Sequence, residues 1–224
     1  LFIGGIMTKK QVPLMKRCKY RIYPNKNQRE YLSKVFGSCR WIYNHFLAEN
    51  KKQMDLHKED PNKNAKPNTN TFYLHSLLPG LKSQEETLWL KETPAQVLQQ
   101  ANTHLTSAFS NFFKHKKGYP KFKNKQGKQT ATYPNQQYFI KDNKLRLASL
   151  KEPIKVKWDR DLPSGKVTAC GVTKTSSGEY YASFVCEYIP VKTNGTGIVG
   201  IDVGITDLFT ISDGTIIDNP RHFV

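Results

Sequence analysis

The hydrophobic period of the chain changes near Lys117, and this change limits the possible folds more than any other feature of the sequence. Before it, residues 93–115 ("TPAQVLQQANTHLTSAFSNFFKH") carry apolar side chains at helical spacing. After it, between about 130 and 190, apolar and polar residues alternate in short runs, which is typical of strands. An α+β fold is therefore predicted, with a helical part followed by antiparallel β-structure.

The helical part is expected to contain several helices. Residues 27–53 ("NQREYLSKVFGSCRWIYNHFLAENKKQ") predict two helices, broken or kinked near Gly37, and residues 71–82 predict a short helix ending near Pro79 and Gly80. In the helix over 93–115, His104 is expected to be a polar residue of the helix face. For the start of that helix we predict a capping box, formed by Thr93 as cap, Pro94 and Gln96.

The strands are predicted from alternation and turn residues. "KRCKYRIYP" (16–24) predicts one strand, and turns at 142–143 ("DN") and 176–178 ("SSG") predict two hairpins. The first strand is expected to join the later ones, which makes the helices of 25–115 an insertion. One face of this strand holds Cys18, Tyr20 and Ile22, and the other holds Arg17, Lys19 and Arg21.

The charge of the chain is large and unevenly placed. The formal net charge is +17, with 34 Lys and Arg against 14 Asp and Glu in residues 1–196, but one Arg against four Asp in 197–224. A basic body of this kind favours a polyanionic partner, nucleic acid above all, over a merely solvated surface.

The most concentrated basic stretch is 115–128 ("HKKGYPKFKNKQGK"), in which Tyr119 and Phe122 lie among six lysines. Lysines neutralise phosphates, and aromatic rings stack on bases. The alternative is a solvated loop whose aromatic residues fix it to the core. The six lysines are Lys116, Lys117, Lys121, Lys123, Lys125 and Lys128.

Four cysteines occur without a C-x-x-C pair or the spacing of a disulfide framework, so a reduced, cytoplasmic protein without a zinc ribbon in this stretch is expected. No apolar run approaches the ~20 residues of a membrane helix. The start, "LFIGGIM", lacks the basic residue of a signal peptide, and Met15 is interpreted as the natural beginning.

The stretch "GIVGIDVGITDLFTI" (197–211) places one carboxylate, Asp202, between Gly200 and Gly204. Because side chains alternate along a strand, these three residues share one face. A second strand and a hairpin turn at 213–214 ("DG") follow. The residues of the opposite face are expected to enter a core; they are Val199, Ile201, Val203 and Ile205.

A lone Asp on such a strand fits the first position of a metal-dependent phosphoryl-transfer site, and it equally fits an Asp that accepts backbone hydrogen bonds in a turn. Two functional interpretations share the pattern: the phosphate loop of an actin- or Hsp70-like ATPase and the first motif of an RNase H-like nuclease. An ATPase has this motif near the start of its domain. Here nearly 200 residues precede it, which favours the nuclease.

Five pieces together resemble the TnpB family of transposon-encoded RNA-guided nucleases, whose members are often called transposases. In chain order they are "YRIYPNKNQREYL", "GSCRWIYNHFL", "ETPAQVLQQANTHLTSAFSNFFK", "GYPKFKNK" and "GIVGIDVGITDLFTISDG". The resemblance implies that Asp202 is the first catalytic residue and a Mg²⁺ ligand, and that Arg40 and Asn44 lie near guide RNA or target DNA. After an N-terminal extension (1–15), it implies three parts: a wedge-like antiparallel β-barrel (16–24 and 116–195), an inserted helical recognition lobe with a helix-turn-helix (25–115), and the first β-hairpin of an RNase H-like, RuvC-type domain (196–224).

The later carboxylates and the four-cysteine zinc ribbon of the family have no counterpart in these residues. We therefore expect the N-terminal part of a TnpB-like RNA-guided DNA endonuclease, binding guide RNA and DNA without cleaving DNA by itself. A naturally shortened, nuclease-dead regulator is the alternative, and a fragment of an ATPase is a third. The residues expected to contact nucleic acid are Arg17, Arg21, Arg40, Asn44, Tyr119, Phe122 and the six lysines of 115–128.

Overall fold

Helical and extended segments divide near residue 117, as the periodicity predicts. The computed structural model describes residues 14–163, 165–188 and 197–220, which fall into two units, one ending at 188 and one beginning at 197. The helices of the first unit are α1 (Lys26–Glu59), α2 (Thr71–Ser76), α3 (Leu78–Ser83) and α4 (Ala95–His115), with a 3₁₀ segment at Glu85–Glu92. Its strands are β1 (Leu14–Tyr23), β2 (Gln129–Pro134), β3 (Tyr138–Lys141), β4 (Lys144–Leu147), β5 (Ile154–Lys157), β6 (Val167–Lys174) and β7 (Tyr180–Tyr188).

The seven strands form one antiparallel sheet in the order β2-β6-β7-β1-β5-β4-β3. Its two edge strands, β2 and β3, are consecutive in the chain and separated by residues 135–137 alone. Because so short a connection brings the two edges together at one corner, the sheet curls into a nearly closed barrel. The helices lie between β1 and β2 in the chain, so the predicted α+β class with an inserted helical part is confirmed.

The alternation in β1 and both predicted hairpins are confirmed. Cys18, Tyr20 and Ile22 are at most 3% exposed and point into the barrel. The turn at 142–143 joins β3 to β4 with positive φ at both residues, and Gly178 (φ +84°) turns β6 into β7. Positive φ at two consecutive positions matches the right-handed twist of the flanking strands.

A packed core joins the barrel to the helices. Val97, Ala101 and Leu105 of α4 lie at the predicted helical spacing and are buried, and His104 lies on the exposed side of that helix. Inside the barrel, the Trp158 ring stacks on Phe184 with centroids 5.8 Å apart and contacts Tyr20 at 4.7 Å. The outward side chains of the sheet therefore rest on a rigid aromatic interior.

The predicted break near Gly37 is wrong, because α1 runs for 34 residues through this glycine. Apolar residues on both sides of it, such as Phe36 and Ile42, are buried in one core. Tertiary packing of this kind outweighs the weak helix propensity of one glycine. The short helix was also misplaced, since the chain divides at Leu77 and Pro79 lies in the first turn of α3, where proline is tolerated.

The capping box is at a different helix from the one predicted. At α4 Pro94 takes the cap position without a side-chain bond, and the Thr93 hydroxyl instead donates to the buried Ser38 Oγ at 2.8 Å. The capping box belongs to α1, where Asn25 and Gln28 bond each other's backbone at 2.9 Å. The Thr93 motif was misleading because a threonine can bond a neighbouring helix as well as its own.

The second unit is a small sheet of β8 (Ile201–Asp202), β9 (Asp207–Ile211) and β10 (Ile216–Asp218), in the order β10-β9-β8. The predicted turn at 213–214 is confirmed, with Gly214 at φ +89°. Among the described residues the predicted core face is wrong, because the three short strands of this unit form one layer and leave that face exposed. Its residues are exposed by 56% at Val199, 61% at Ile201, 68% at Val203 and 92% at Ile205.

Candidate nucleic-acid interface

The lysine-rich stretch 116–128 follows α4 without helix or strand until β2 begins at Gln129. Lys116 ends α4 in the left-handed conformation (φ +51°), and Lys117 N–H donates to the Asn111 carbonyl at 3.2 Å. We call residues 116–128 the basic segment. All six of its lysines are exposed, and within the described residues none of them forms an ion pair.

Asn44, on α1, holds the middle of the basic segment. Its side-chain amide donates to the Lys123 carbonyl and accepts from the Lys123 N–H, both at 2.8 Å. A reciprocal pair of this kind fixes a backbone as a neighbouring strand would. Asn44 therefore positions the segment, and direct contact between Asn44 and nucleic acid stays a prediction.

Arg40, one turn earlier on α1, acts on the same segment through Gln129. Its Nη1 donates to Gln129 Oε1 at 2.6 Å, and Gln129 Nε2 donates to the carbonyls of Asn124 at 2.8 Å and Gly127 at 2.7 Å. Gln129 is 9% exposed. The sequence analysis missed Gln129, because a single glutamine at the start of a strand carries no recognisable signal.

The two aromatic residues of the basic segment have different surroundings. Tyr119 packs edge-on against Phe112 and Phe109, with centroids 5.3 and 5.9 Å away, and its hydroxyl donates to Asn50 at 3.4 Å. Phe122 is 54% exposed. Tyr119 thus anchors the segment, as the structural alternative proposed, whereas Phe122 presents a ring to solvent.

Among the residues that the structure describes, Lys123 is the one lysine of the segment whose amine lies over an aromatic ring. Its Nζ is 4.0 Å from the centroid of Tyr43, a cation–π contact. Burial of the amine lowers the pKa of Lys123 from its usual value. Desolvation of the His104 ring, with the positive charges of Lys123 and Arg17 as smaller causes, lowers the pKa of His104.

A second basic surface covers the outside of the barrel. The outward residues of β1 continue onto β5 and β4, where Lys157 lies opposite Arg21 and Lys144 opposite Lys155. Like charges that face each other directly are unfavourable unless counterions or a polyanion neutralise them. We call this surface the outer basic face; it comprises Arg17, Lys19, Arg21, Lys144, Arg146, Lys155 and Lys157.

Arg21 is the member of this face that already has a carboxylate partner. It pairs with Glu179 and donates to the Tyr181 hydroxyl at 3.1 Å. Hydrogen bonds to the Glu179 carboxylate, from Arg21 first and then from the Tyr181 hydroxyl at 3.0 Å, hold the pKa of Glu179 below its usual value. Lys19 lies over the same tyrosine ring at 3.8 Å, and Arg17 has no ion pair within the described residues. Lys155 and Lys157 were not among the residues predicted to contact nucleic acid. The alternation in "IKVK" is typical of a half-buried strand and could have indicated that both lysines point outward.

Asp202 lies on β8 opposite Thr210, with an exposed side chain. Position 204 requires glycine for a steric reason, because a Cβ there would lie 2.8 Å from the Asp207 carbonyl oxygen. Asp213 belongs to the turn, and hydrogen bonding from Thr215 N–H at 2.9 Å lowers the pKa of Asp213.

The residues around Asp202 do not fit a divalent metal by themselves. Throughout the described residues, no three His, Cys, Asp or Glu side chains converge in a group able to hold a metal ion. A carboxylate alone holds Mg²⁺ weakly. In the same part of the chain, no helix has the length and apolarity needed to cross a membrane.

A family model described as a helix-turn-helix domain, of OrfB type, matches residues 14–59, which contain β1 and α1. A protein of Streptomyces pristinaespiralis named as an RNA-guided DNA endonuclease is 34% identical over 209 residues, covering 91% of this chain and 50% of that protein. InsQ of Escherichia coli K12, named likewise, is 30% identical over 213 residues, covering 92% of this chain and 49% of InsQ.

The virulence protein VsdF of Salmonella dublin is 34% identical over 119 residues, which are 51% of this chain and 98% of VsdF. A solved structure, a CRISPR-Cas12f ternary complex, aligns with a TM-score of 0.41 at 15% identity, over 84% of this chain and 46% of that one. The chain spans about half the length of the two endonuclease relatives. Because the chain is similar to these sequence relatives and contains the matching OrfB-type domain, it belongs to the TnpB-like family.

Proposed function

We propose that this chain is the nucleic-acid-binding part of a TnpB-like RNA-guided DNA endonuclease and that it binds guide RNA and target DNA. The observation that supports this most directly is the basic segment. Six exposed lysines without ion pairs in the described residues are held in place from α1 through Asn44 and Arg40. A positioned set of cations suits a phosphate backbone better than free lysines do, because less conformational entropy is lost on binding.

The domain boundaries are part of the same proposal. The barrel takes residues 16–24 and 116–195, the helical recognition lobe 25–115, and the start of a RuvC-type domain 196–224. Asp202 is proposed as one ligand of the Mg²⁺ of the complete family enzyme, with further carboxylates supplied from outside these residues. The chain by itself is then expected to bind nucleic acid in the cytoplasm without cutting it.

Binding to a structured RNA is expected to weaken steeply with salt, since each neutralised phosphate contributes roughly one unit to the log–log slope. Replacing Lys121 and Lys125 by Gln should reduce that slope by about two units. The measurement is fluorescence anisotropy between low and moderate salt. The matched control is the double replacement of Lys58 and Lys63 by Gln, which removes the same charge from residues paired with Asp55 and Asp60. Affinity that does not change with salt would contradict the proposal.

Asp202→Ala is expected to leave RNA and DNA affinity within about twofold of the unchanged chain, because its exposed carboxylate repels phosphates weakly in water. Neither form should cut DNA when Mg²⁺ is added. Anisotropy and a gel-based cleavage assay measure both quantities. A large loss of affinity would assign Asp202 a structural role, and cleavage by the chain alone would refute the proposed division of the metal site.

The shortened regulator is a second candidate, favoured by VsdF, which the chain matches over 98% of that shorter protein. The two candidates differ in how this chain should respond to the other half of a TnpB-like protein. If the other half of a TnpB-like protein is supplied as a separate polypeptide and RNA-dependent cleavage appears, the endonuclease proposal is supported. If it neither binds this chain nor restores cleavage, the regulator is favoured.

A further inference from the structure

An aromatic groove of about 710 Å³ lies beside α1, next to Arg40 and Asn44, which hold the basic segment. Its lining includes Trp41 and His45 of α1, Trp89 of the 3₁₀ segment and Phe122 of the basic segment. Trp89 is 40% exposed and Phe122 is 54% exposed. Three separate parts of the chain thus bring aromatic rings to one open surface, although aromatic residues normally bury most of their area.

The rings of the groove are arranged for stacking. Trp41 and His45 lie parallel, with centroids 4.7 Å apart and 7° between their planes. Trp89 meets Trp41 edge-on at 5.7 Å, and its indole N–H is bonded to the Glu86 carbonyl at 3.1 Å, which fixes the ring. The stack on α1 therefore has a fixed side wall.

Gly37 leaves open space in the lining of the groove. It lines the groove one helical turn before Trp41, and a Cβ placed there would meet nothing within 4 Å. Since side chains on a helix tilt toward its N-terminus, Trp41 leans over this turn. A glycine within a helix lowers helix stability, and here the protein does not fill the space that it opens.

The charge around the groove favours an anionic occupant. The carboxylate of Glu92 is paired with Lys34 at 2.7 Å, so these two charges cancel. Arg40 adds a positive charge to the lining, and Phe122 stands between Lys121 and Lys123 in the sequence. An apolar peptide would match the rings alone, whereas a nucleotide matches both the rings and the cations.

We infer that this groove binds one unpaired nucleobase of a single-stranded segment, stacked on the Trp41–His45 pair above Gly37, with its flanking phosphates near Lys121. The inference rests on the proposed nucleic-acid binding and adds a site that reads an unstacked base. Base–aromatic stacking tolerates any sequence, so we expect discrimination between stacked and unpaired bases and not among the four bases.

The test compares a single-stranded oligonucleotide with an abasic strand of equal length, using anisotropy. The unchanged chain should prefer the strand with bases, and Trp41→Leu, which removes the stacking surface, should lower affinity for it by roughly 5- to 160-fold, the range expected for one stacked base. Affinity for the abasic strand should stay the same. The matched control is Phe72→Leu, since Phe72 is 83% exposed on α2 and lies outside the groove lining.

Gly37→Ala gives a second, independent test that does not depend on loss of an aromatic residue. The variant should raise the melting temperature by roughly 1–4 °C, because alanine favours the helix, yet weaken binding of the strand with bases by filling the space beside Trp41. If these variants bind that strand as the unchanged chain does, the base site is refuted while salt-sensitive binding keeps the proposed function. If the unchanged chain binds neither strand, both proposals are refuted.

Discussion

Phe184→Ala is expected to lower the free energy of unfolding by about 3–5 kcal/mol, the cost of removing a large buried ring from a core that collapses incompletely. Phe184 is 0% exposed and contacts three other aromatic rings, with centroids 5.8 Å away at Trp158, 5.9 Å at Tyr20 and 6.2 Å at Tyr138. Urea unfolding followed by far-UV circular dichroism measures the change, with the slope m compared to confirm a two-state transition.

Phe139→Ala is the matched control for that measurement. Phe139 belongs to β3 of the same sheet but is 59% exposed, so its removal should change the free energy of unfolding by less than about 0.5 kcal/mol. Equal losses at Phe139 and Phe184 would contradict the assignment of the aromatic rings inside the barrel to the packed core.

Gln129→Leu is expected to lower the free energy of unfolding by about 2–4 kcal/mol and to release the basic segment. The side chain of Gln129 accepts from Arg40 and donates to carbonyls of the segment, so its loss leaves several partly buried polar groups without partners. Limited trypsin digestion reports the release, because the lysines of the segment become cleavable when its backbone is mobile. Faster cleavage between residues 116 and 128 and weaker RNA binding should appear together.

Gln126→Leu makes the same chemical change three positions earlier, at an exposed residue of the same segment. It should leave both the unfolding free energy and the rate of digestion nearly unchanged. If the Gln129 variant is digested no faster than this control, Gln129 does not hold the segment, and Asn44 and Tyr119 must account for its order.

The β-structure was the most predictable part of the fold. Alternation in β1 and the turn residues at 142–143 and 176–178 depend on contacts within a few positions, so they can be found without knowing the tertiary structure. The strand order was not predictable in this way. It places β1 between β5 and β7, which are distant in sequence, and no local pattern specifies such partners.

The wrong predictions concern residues whose local sequence pattern is outweighed by contacts with residues that are distant in sequence. The helix continues through Gly37 because its apolar residues on both sides share one core, and Thr93 bonds Ser38 of another helix in place of its own backbone. The exposed face of β8 was misjudged because alternation shows that two faces differ and not that either one is covered.

The charged residues of the candidate site could be predicted from the sequence, but the contacts that hold them in place could not. The lysines of the basic segment could be found from charge alone, whereas the function of Asn44 depends on its position opposite Lys123 in space. Gln129 and the groove around Trp41 could not be found from the sequence, since each joins residues from separate elements. Which of the predicted residues contact nucleic acid stays a prediction.

The central place of β1 in the sheet has a consequence for the order in which the protein folds. Arg21 of β1 and Tyr181 of β7 are hydrogen-bonded although they are 160 positions apart. During synthesis β1 leaves the ribosome long before β5 and β7, so the barrel must close late, whereas α1 and α4 can meet earlier. A high contact order of this kind makes closure slow, and chaperones that shield the waiting strand should increase the yield of folded protein.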